Sequence, residues 1–322
     1  METALITGIT GQDGAYLSQF LIEKGYKVTG LVRSLSGGNL SRLDYLGIQS
    51  KIQFLECDLQ DLSQVLNIIR EVNPDEIYNL AAQSSVGLSF QQPIGTLQFN
   101  ISSVLNQLEA IRLINPKIKF YQASSSEMFG NIEELPITET SKLHPVSPYA
   151  ISKVAAHHIT VNYRESYGLF ACCGILFNHE SYLRGKNFFV KKVIRGALDI
   201  KEGKIEELEL GNLNIKRDFG WSKKYVEAMY AMMQQEQPGD FVISSGKSVW
   251  LYEIVEYVFK KLEIPYSKIV EDKSLLRPNE ITDIYGSSEK ARKVLGWNYK
   301  YSFYEVLDFI IEEEQQNYFD EN

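Results

Sequence analysis

Short apolar runs alternate along the first half of the chain with longer stretches in which apolar residues recur every three or four positions. The runs Ala4-Leu5-Ile6-Thr7, 26–33, 52–57, 76–83 and 118–123 have strand length. Between them, Leu17, Phe20 and Leu21, then 62–72 and 104–114, carry the spacing of amphipathic helices. Strands alternating with helices of this length predict an α/β fold, a doubly wound parallel sheet with ligands at the carboxyl ends of its strands. Beyond Phe177 the pattern loosens into a smaller C-terminal α/β lobe. A helix at 225–233 and a strand at 241–243 are expected to return to the main sheet. The division predicted is 1–176 with a returning segment around 215–245, then 177–322 as mainly a substrate lobe. Helices at 250–262 and 302–313 have apolar faces suited to that lobe, and the acidic tail after Glu312 is expected to be solvated.

The first strand runs into Gly8-Ile9-Thr10-Gly11-Gln12-Asp13-Gly14 and then directly into a helix. In the Rossmann arrangement Gly8 permits the turn, Gly11 lets a pyrophosphate approach the backbone, and Gly14 lets the helix pack against the strand. Free N–H groups at the helix start then face phosphate. The second strand ends at Arg33 rather than an acid, which with Ser34, Ser36 and Arg42 points to a 2′-phosphate and hence NADP. Asp58-Leu59 ends the third strand, placed to hold an adenine edge; Asp58 serves equally well as the cap of the next helix. The fourth strand, 76–83, ends in small residues, Ala81 and Ala82, which leave room for a cofactor.

Composition narrows the class. With 322 residues, 44% hydrophobic and 23% charged, the chain reads as an ordinary globular enzyme. A formal net charge of −8 argues against a general nucleic-acid binder. Cys57, Cys172 and Cys173 have no metal-ligand spacing and read as buried thiols of a reducing compartment, so no metal is expected. No signal-peptide pattern and no apolar stretch of membrane-spanning length is seen, and a cytoplasmic protein without a membrane partner is the expectation.

The fifth strand enters Ser124-Ser125-Ser126-Glu127, and Tyr149-Ala150-Ile151-Ser152-Lys153 follows on a helix. Tyr149 and Lys153, four apart, share a face; the ammonium is expected to lower the phenol pKa so that Tyr149 acts as a base on a sugar hydroxyl.

Together these stretches resemble the extended short-chain dehydrogenase/reductase superfamily, and several more resemble its GDP-mannose 4,6-dehydratase branch. Those are Asn79-Leu80-Ala81-Ala82-Gln83-Ser84, Asn178-His179-Glu180-Ser181, Gly211-Asn212-Leu213, Arg217-Asp218-Phe219-Gly220 and Arg277-Pro278-Asn279-Glu280. Gly11-Gln12-Asp13-Gly14 and Asn178-His179-Glu180-Ser181 are the most specific. The resemblance implies a catalytic set of Ser125, Glu127, Tyr149 and Lys153. Tyr149 is the base at the sugar 4-hydroxyl while hydride leaves carbon 4 for NADP; Ser125 stands where the family usually has threonine, and bonds that oxygen. Glu127 removes the proton on carbon 5 and helps expel water from carbon 6, after which hydride returns. It further implies that Gly8, Thr10, Gly11, Gln12, Asp13, Gly14, Arg33, Asp58, Leu59, Ala81, Gln83 and His179, with Tyr149 and Lys153, bind NADP. Ser84, Ser85, Ser126, Asn178, Lys192, Arg217, Arg277 and Glu280 are implied to bind a GDP-sugar, and the assembly to be a homodimer or homotetramer.

The chain departs from the family pattern at Tyr182-Leu183-Arg184-Gly185, where Pro-Arg-Arg-Gly is usual, and at Arg33-Ser34, where two arginines are common. These departures bear on the choice of sugar (mannose or a manno-heptose), on NADP preference and on the tetramer. An NADP-dependent reductase or epimerase of the same superfamily shares Tyr149 and Lys153 but leaves Glu127 without a task; a non-catalytic NADP sensor needs no activated phenol.

Overall fold

Seven parallel strands in the order β3-β2-β1-β4-β5-β6-β10 make the main sheet of this computed structural model, which describes residues 1–36 and 39–317. The strands are β1 (Thr3–Thr7), β2 (Lys27–Val32), β3 (Ile52–Glu56), β4 (Glu76–Asn79), β5 (Lys119–Ser125), β6 (Ala171–Leu176) and β10 (Asp240–Ile243). The inner strands are buried on both faces, as a sheet covered by helices requires, while the edge strand β3 leaves Gln53 and Glu56 exposed. One face is covered by α1 (Gln12–Glu23) and α8 (Ser222–Met233), through Leu17, Leu21, Tyr225, Met229 and Met232. The other lies under α3 (Leu62–Val72), α5 (Pro93–Ile114) and α6 (Pro148–Tyr167), through Ile69, Leu108, Ile111 and Ala156. The shorter helices α2 (Ser41–Tyr45) and α4 (Val86–Gln91) flank the carboxyl ends of the strands.

Local chemistry sets these boundaries. Asp61 caps α3 by accepting from Ser63 N and Gln64 N, and Asn73 ends it at a φ of 40°. The cap is therefore Asp61; Asp58, the residue considered for that task, is exposed and accepts from Gln60 N instead. Ser147 caps α6 with Pro148 in its first turn, and Gly168 ends it in the left-handed region. The sequence pattern placed helices at 104–114 and 225–233; the structure extends them back to Pro93 and Ser222.

A second sheet, β11-β9-β7, joins β7 (Asn178–Glu180), β9 (Lys216–Trp221) and β11 (Ser248–Trp250), and β12 (Ile269–Glu271) pairs β8 (Leu208–Leu210). These strands are too short to stand out as periodic runs. Helices α7 (Phe189–Lys201), α9 (Leu251–Lys261) and α10 (Phe303–Asn317) bury Val193, Ile254, Val258, Leu307 and Ile310 in a separate core. The tail expected to be solvated begins inside α10: Glu314 is fully buried between Lys191 and Arg195, whose Nη1 lies 3.0 Å away. Residues 318–322 of that tail lie outside the described residues. A third cluster, containing Met128, Phe129, Ile137, Phe177, Val242 and Ile284, ties the loop after β5 to the C-terminal half, where Ile137 bridges Gly286.

Candidate active site

At the carboxyl end of the sheet the glycine turn is as compact as its sequence implies. Gly8 has a φ of +69°, and a Cβ there would lie 2.8 Å from Ala81 N; at Gly14 it would lie 2.4 Å from Gly8 O. Gly11 N donates to Gly8 O at 3.0 Å, and α1 starts at Gly11 without a side-chain cap. A groove beside this turn is lined by Thr10, Arg33, Leu59, Ala81 and Phe99. Gln83 Oε1, close by, is buried without a hydrogen-bond partner. A cradle that excludes any Cβ, next to an uncapped helix start, fits a dinucleotide pyrophosphate.

Several residues expected at the cofactor are engaged with the protein itself. His179 Nε2 lies 2.7 Å from Asp13 Oδ2, Gln12 Nε2 donates to His179 O at 3.0 Å, and Ser181 Oγ donates to Gln12 Oε1 at 2.7 Å. Burial works to raise the Asp13 pKa, but the charge and hydrogen bond of His179, with Arg184 and Ser222, bring it down to about 2. Arg42, considered for a 2′-phosphate, donates to the carbonyls of Leu183 at 2.7 Å and Thr10 at 3.0 Å. Arg33 is exposed, its guanidinium 4.8 Å from the centre of the Phe99 ring.

The groove continues into a cleft walled by β5, the start of α6, β7 and β9. Ser125, Glu127, Tyr149 and Lys153 all line it. Ser125 Oγ accepts from Glu127 N at 3.2 Å, fixing the turn that carries Glu127. Lys153 Nζ donates to Ala123 O at 2.8 Å. Burial pushes the Tyr149 phenol up to about 12, with Ser125 pulling it back and Glu127 pushing further. Burial draws Lys153 down to about 8. This corrects the expectation that the ammonium lowers the phenol pKa: in the protein alone desolvation wins, and the hydrogen bond that opposes it comes from Ser125.

Across the cleft, Arg217 on β9 is buried and donates to Glu280 Oε1 at 2.9 Å and to Ile281 O at 2.6 Å. Arg277 Nη1 lies 3.5 Å from the same Glu280 oxygen. Arg217 and Arg277 line the cleft with Ser84, Ser85, Ser126 and Asn178. Of the residues expected at the substrate, Lys192, in the first turn of α7, and Glu280, which both arginines contact, are not among the cleft-lining side chains; nor is Asp58 among those of the groove. Asp218, beside Arg217, is fully buried, accepts from the N–H groups of Ser245, Gly246 and Gly286, and so pins β9 to the loop after β10. Arg184, Asn187, Phe188, Ile215 and Leu251 line the cleft and were not singled out from the sequence. Only Arg184 carried a signal, as the arginine kept where Tyr182 and Leu183 replace the usual Pro-Arg.

His157, Cys173 and Asp240 gather within 4.8 Å behind β6, yet both Asp240 oxygens are held by Arg164, and burial raises the Cys173 thiol pKa well above its ordinary value. That set is a structural ion pair beside a neutral thiol.

The family model described as GDP-mannose 4,6 dehydratase matches residues 5–309. The GDP-mannose 4,6 dehydratase 1 of Arabidopsis thaliana is 44% identical over 324 residues, covering 97% of this chain and 90% of that protein. The GDP-mannose 4,6-dehydratase of Yersinia enterocolitica is 42% identical over 332 residues, 92% of this chain and 89% of its own length. Among solved structures, dTDP-glucose 4,6-dehydratase of Bacillus anthracis in complex with NAD superposes with a TM-score of 0.87 at 21% identity, over 98% of this chain and 97% of that one. UDP-glucose 4-epimerase of Thermotoga maritima gives 0.86 at 24%, over 98% and 99%. These two show the shared fold.

Proposed function

This chain belongs to the GDP-mannose 4,6-dehydratase family, and on that premise we propose that GDP-mannose is the substrate and NADP the cofactor of its cleft. As a member it is a nucleotide-sugar 4,6-dehydratase, a hydro-lyase working with a nicotinamide cofactor.

Gly8, Thr10, Gly11, Leu59 and Ala81 in the groove, with Gly14 and Gln83 at the adjoining turn, hold the dinucleotide in this reading, and Arg33 lies toward the 2′-phosphate; its exposed guanidinium above Phe99 supports NADP over NAD. Held there in its oxidised form, the nicotinamide would supply an acceptor for the hydride on sugar carbon 4 and, once reduced, a donor for carbon 6. Tyr149 takes the proton of the 4-hydroxyl, with Ser125 bonded to the same oxygen and Lys153 beside it. Glu127 takes the proton on carbon 5, which a ketone at carbon 4 has acidified, and delivers it to the departing hydroxyl on carbon 6, which leaves as water; once carbon 6 has been reduced, carbon 5 takes a proton from solvent and Tyr149 returns to solvent the one it took from the 4-hydroxyl. Arg217 and Arg277 face the diphosphate, and Glu280, which both arginines hold in place, takes the ribose hydroxyls or the guanine edge. Asn178, Ser84, Ser85 and Ser126 complete the substrate side.

The observation that carries this reading is Glu127 in the same cleft wall as Tyr149 and Ser125: oxidation and reduction need the phenol, and only elimination needs the carboxylate. Incubation with GDP-mannose and no added reductant, followed by mass spectrometry, tests it. A product lighter by one water that gains deuterium from the solvent is expected. Dehydration of a GDP-heptose instead would overturn the sugar, and no dehydration of any nucleotide sugar would overturn the assignment of Glu127.

The proposed division of labour gives 1–176, with the return around 215–245, to the cofactor and 177–322 to the sugar nucleotide. It is supported by the groove lining coming from β1 to α5 and the arginines from β9 onward. A homo-oligomer, dimer or tetramer, is supported by Leu105 and Leu113 on α5 and Ile151 and Tyr167 on α6, large apolar residues left exposed. A reducing, cytoplasmic setting is supported by three free, buried cysteines. No helix among the described residues is long and apolar enough to cross a membrane.

A further inference from the structure

The two most distinctive motifs of the chain are bonded to each other. Gln12 and Asp13 stand where α1 leaves the glycine turn; His179 lies in β7 and Ser181 just after it. Three contacts join them: His179 Nε2 to Asp13 Oδ2 at 2.7 Å, Gln12 Nε2 to His179 O at 3.0 Å and Ser181 Oγ to Gln12 Oε1 at 2.7 Å. Arg42 adds a fourth tie by bonding both Thr10 O and Leu183 O. Ser222 Oγ donates to Asp13 Oδ1 at 2.9 Å, and the His179 ring stacks on Tyr225 at 4.6 Å. These protein groups hold the joint from behind, while Asp13 and His179 also line the cleft itself.

On its far side the joint leads to the substrate arginines. β7 pairs with β9 in register, Asn178 opposite Phe219 and His179 opposite Gly220, and Arg217 lies on the same β9 strand. A phosphate drawn to Arg217 acts on β9, which is paired to β7, whose His179 holds Asp13 at the start of α1. The free N–H groups that meet the cofactor pyrophosphate stand at that same start.

We propose that Asp13 and His179 are positioning residues that lock the phosphate turn to the strand pair carrying Arg217, so that cofactor and sugar nucleotide each tighten the binding of the other. This rests on the reading of the cleft as an NADP and GDP-sugar site. It replaces direct cofactor contact by the two side chains with a joint that both ligands order. Because coupling between two sites is reciprocal, NADP tightens GDP by the same factor as GDP tightens NADP.

The test is calorimetric binding of NADP to the full chain with and without saturating GDP, and of GDP with and without NADP. It is run for the wild type, Asp13→Asn, His179→Gln and the double variant. In the wild type each ligand is expected to tighten the other about tenfold. In all three variants the factor is expected to fall to the same value near one, the double adding nothing to either single. Wild-type affinities that are independent of each other overturn the proposal without reference to any variant. So do variants that lose NADP affinity equally with and without GDP, and additively, which is the mark of direct contact. A wild type that binds neither ligand overturns the functional reading and this inference with it.

Discussion

Lys153 Nζ lies 5.7 Å from the centre of the Tyr149 ring, while its hydrogen bond goes to the carbonyl of Ala123. Desolvation therefore governs both groups in the protein alone, raising the phenol to about 12 and lowering the ammonium to about 8. Between about 8 and the 10.5 of an unperturbed lysine, the unfolded chain binds the proton that folded Lys153 has lost. Stability from this group therefore rises with pH across that window. Thermal unfolding of the wild type against Lys153→Met is expected to reveal that component and its absence in the variant.

Tyr149→Phe removes the proton acceptor and leaves the groove intact. It is expected to cost a factor of about 10² to 10⁴ in kcat, with NADP affinity unchanged by fluorescence titration. Spectroscopic titration of the ligand-free wild type minus this variant is expected to show no phenolate from Tyr149 until near pH 12.

Glu127→Gln keeps the shape and hydrogen-bonding capacity of a side chain whose backbone N–H is already fixed by Ser125. Transient reduction of bound NADP by the sugar is expected to persist, and release of water to stop. Water release at the wild-type rate, measured by mass spectrometry, would sink the elimination role.

Arg217→Ala takes away a charged donor that is buried and bonded to Glu280 and Ile281. A charge-assisted hydrogen bond contributes about 1.5–3 kcal/mol, so KM for the GDP-sugar is expected to rise by about one to two orders of magnitude. Steady-state kinetics should show kcat changing much less.

Gly14→Ala tests the cradle. Its Cβ would lie 2.4 Å from Gly8 O and 2.6 Å from Ile9 Cα, backbone atoms that cannot swing aside. The expected loss is about 1–3 kcal/mol of stability, as for other overpacked sites, together with NADP binding. Denaturant unfolding and calorimetry check the two separately.

The main sheet was legible from the sequence because strands buried on both faces leave continuous apolar runs, and the helices between them keep a clear 3.6-residue period. That Ser125, Glu127, Tyr149 and Lys153 meet in one cleft was legible for the same reason, since the first two follow a readable strand and the last two share one helix. What sequence missed depends on long-range burial. Asp13 and His179 are 166 positions apart, and nothing in either motif marks the other as its partner. The buried position of Glu314 was hidden because an acid near a chain end normally meets water, and only folding sets it against Lys191 and Arg195. The fall of Lys153 to about 8 likewise follows from desolvation, which spacing does not encode.

The last strand of the main sheet, β10, is drawn from residues 240–243, beyond the whole of β7 and β9, and pairs with β6 from residues 171–176. During synthesis the edge of β6 and the face later sealed by Tyr225, Met229 and Met232 stay open while some sixty further residues are made. At roughly 5–20 residues per second that is several seconds of exposed strand edge and apolar surface. Because the main sheet closes only when β10 arrives, a fragment ending at Leu176 would keep the edge of β6 open permanently.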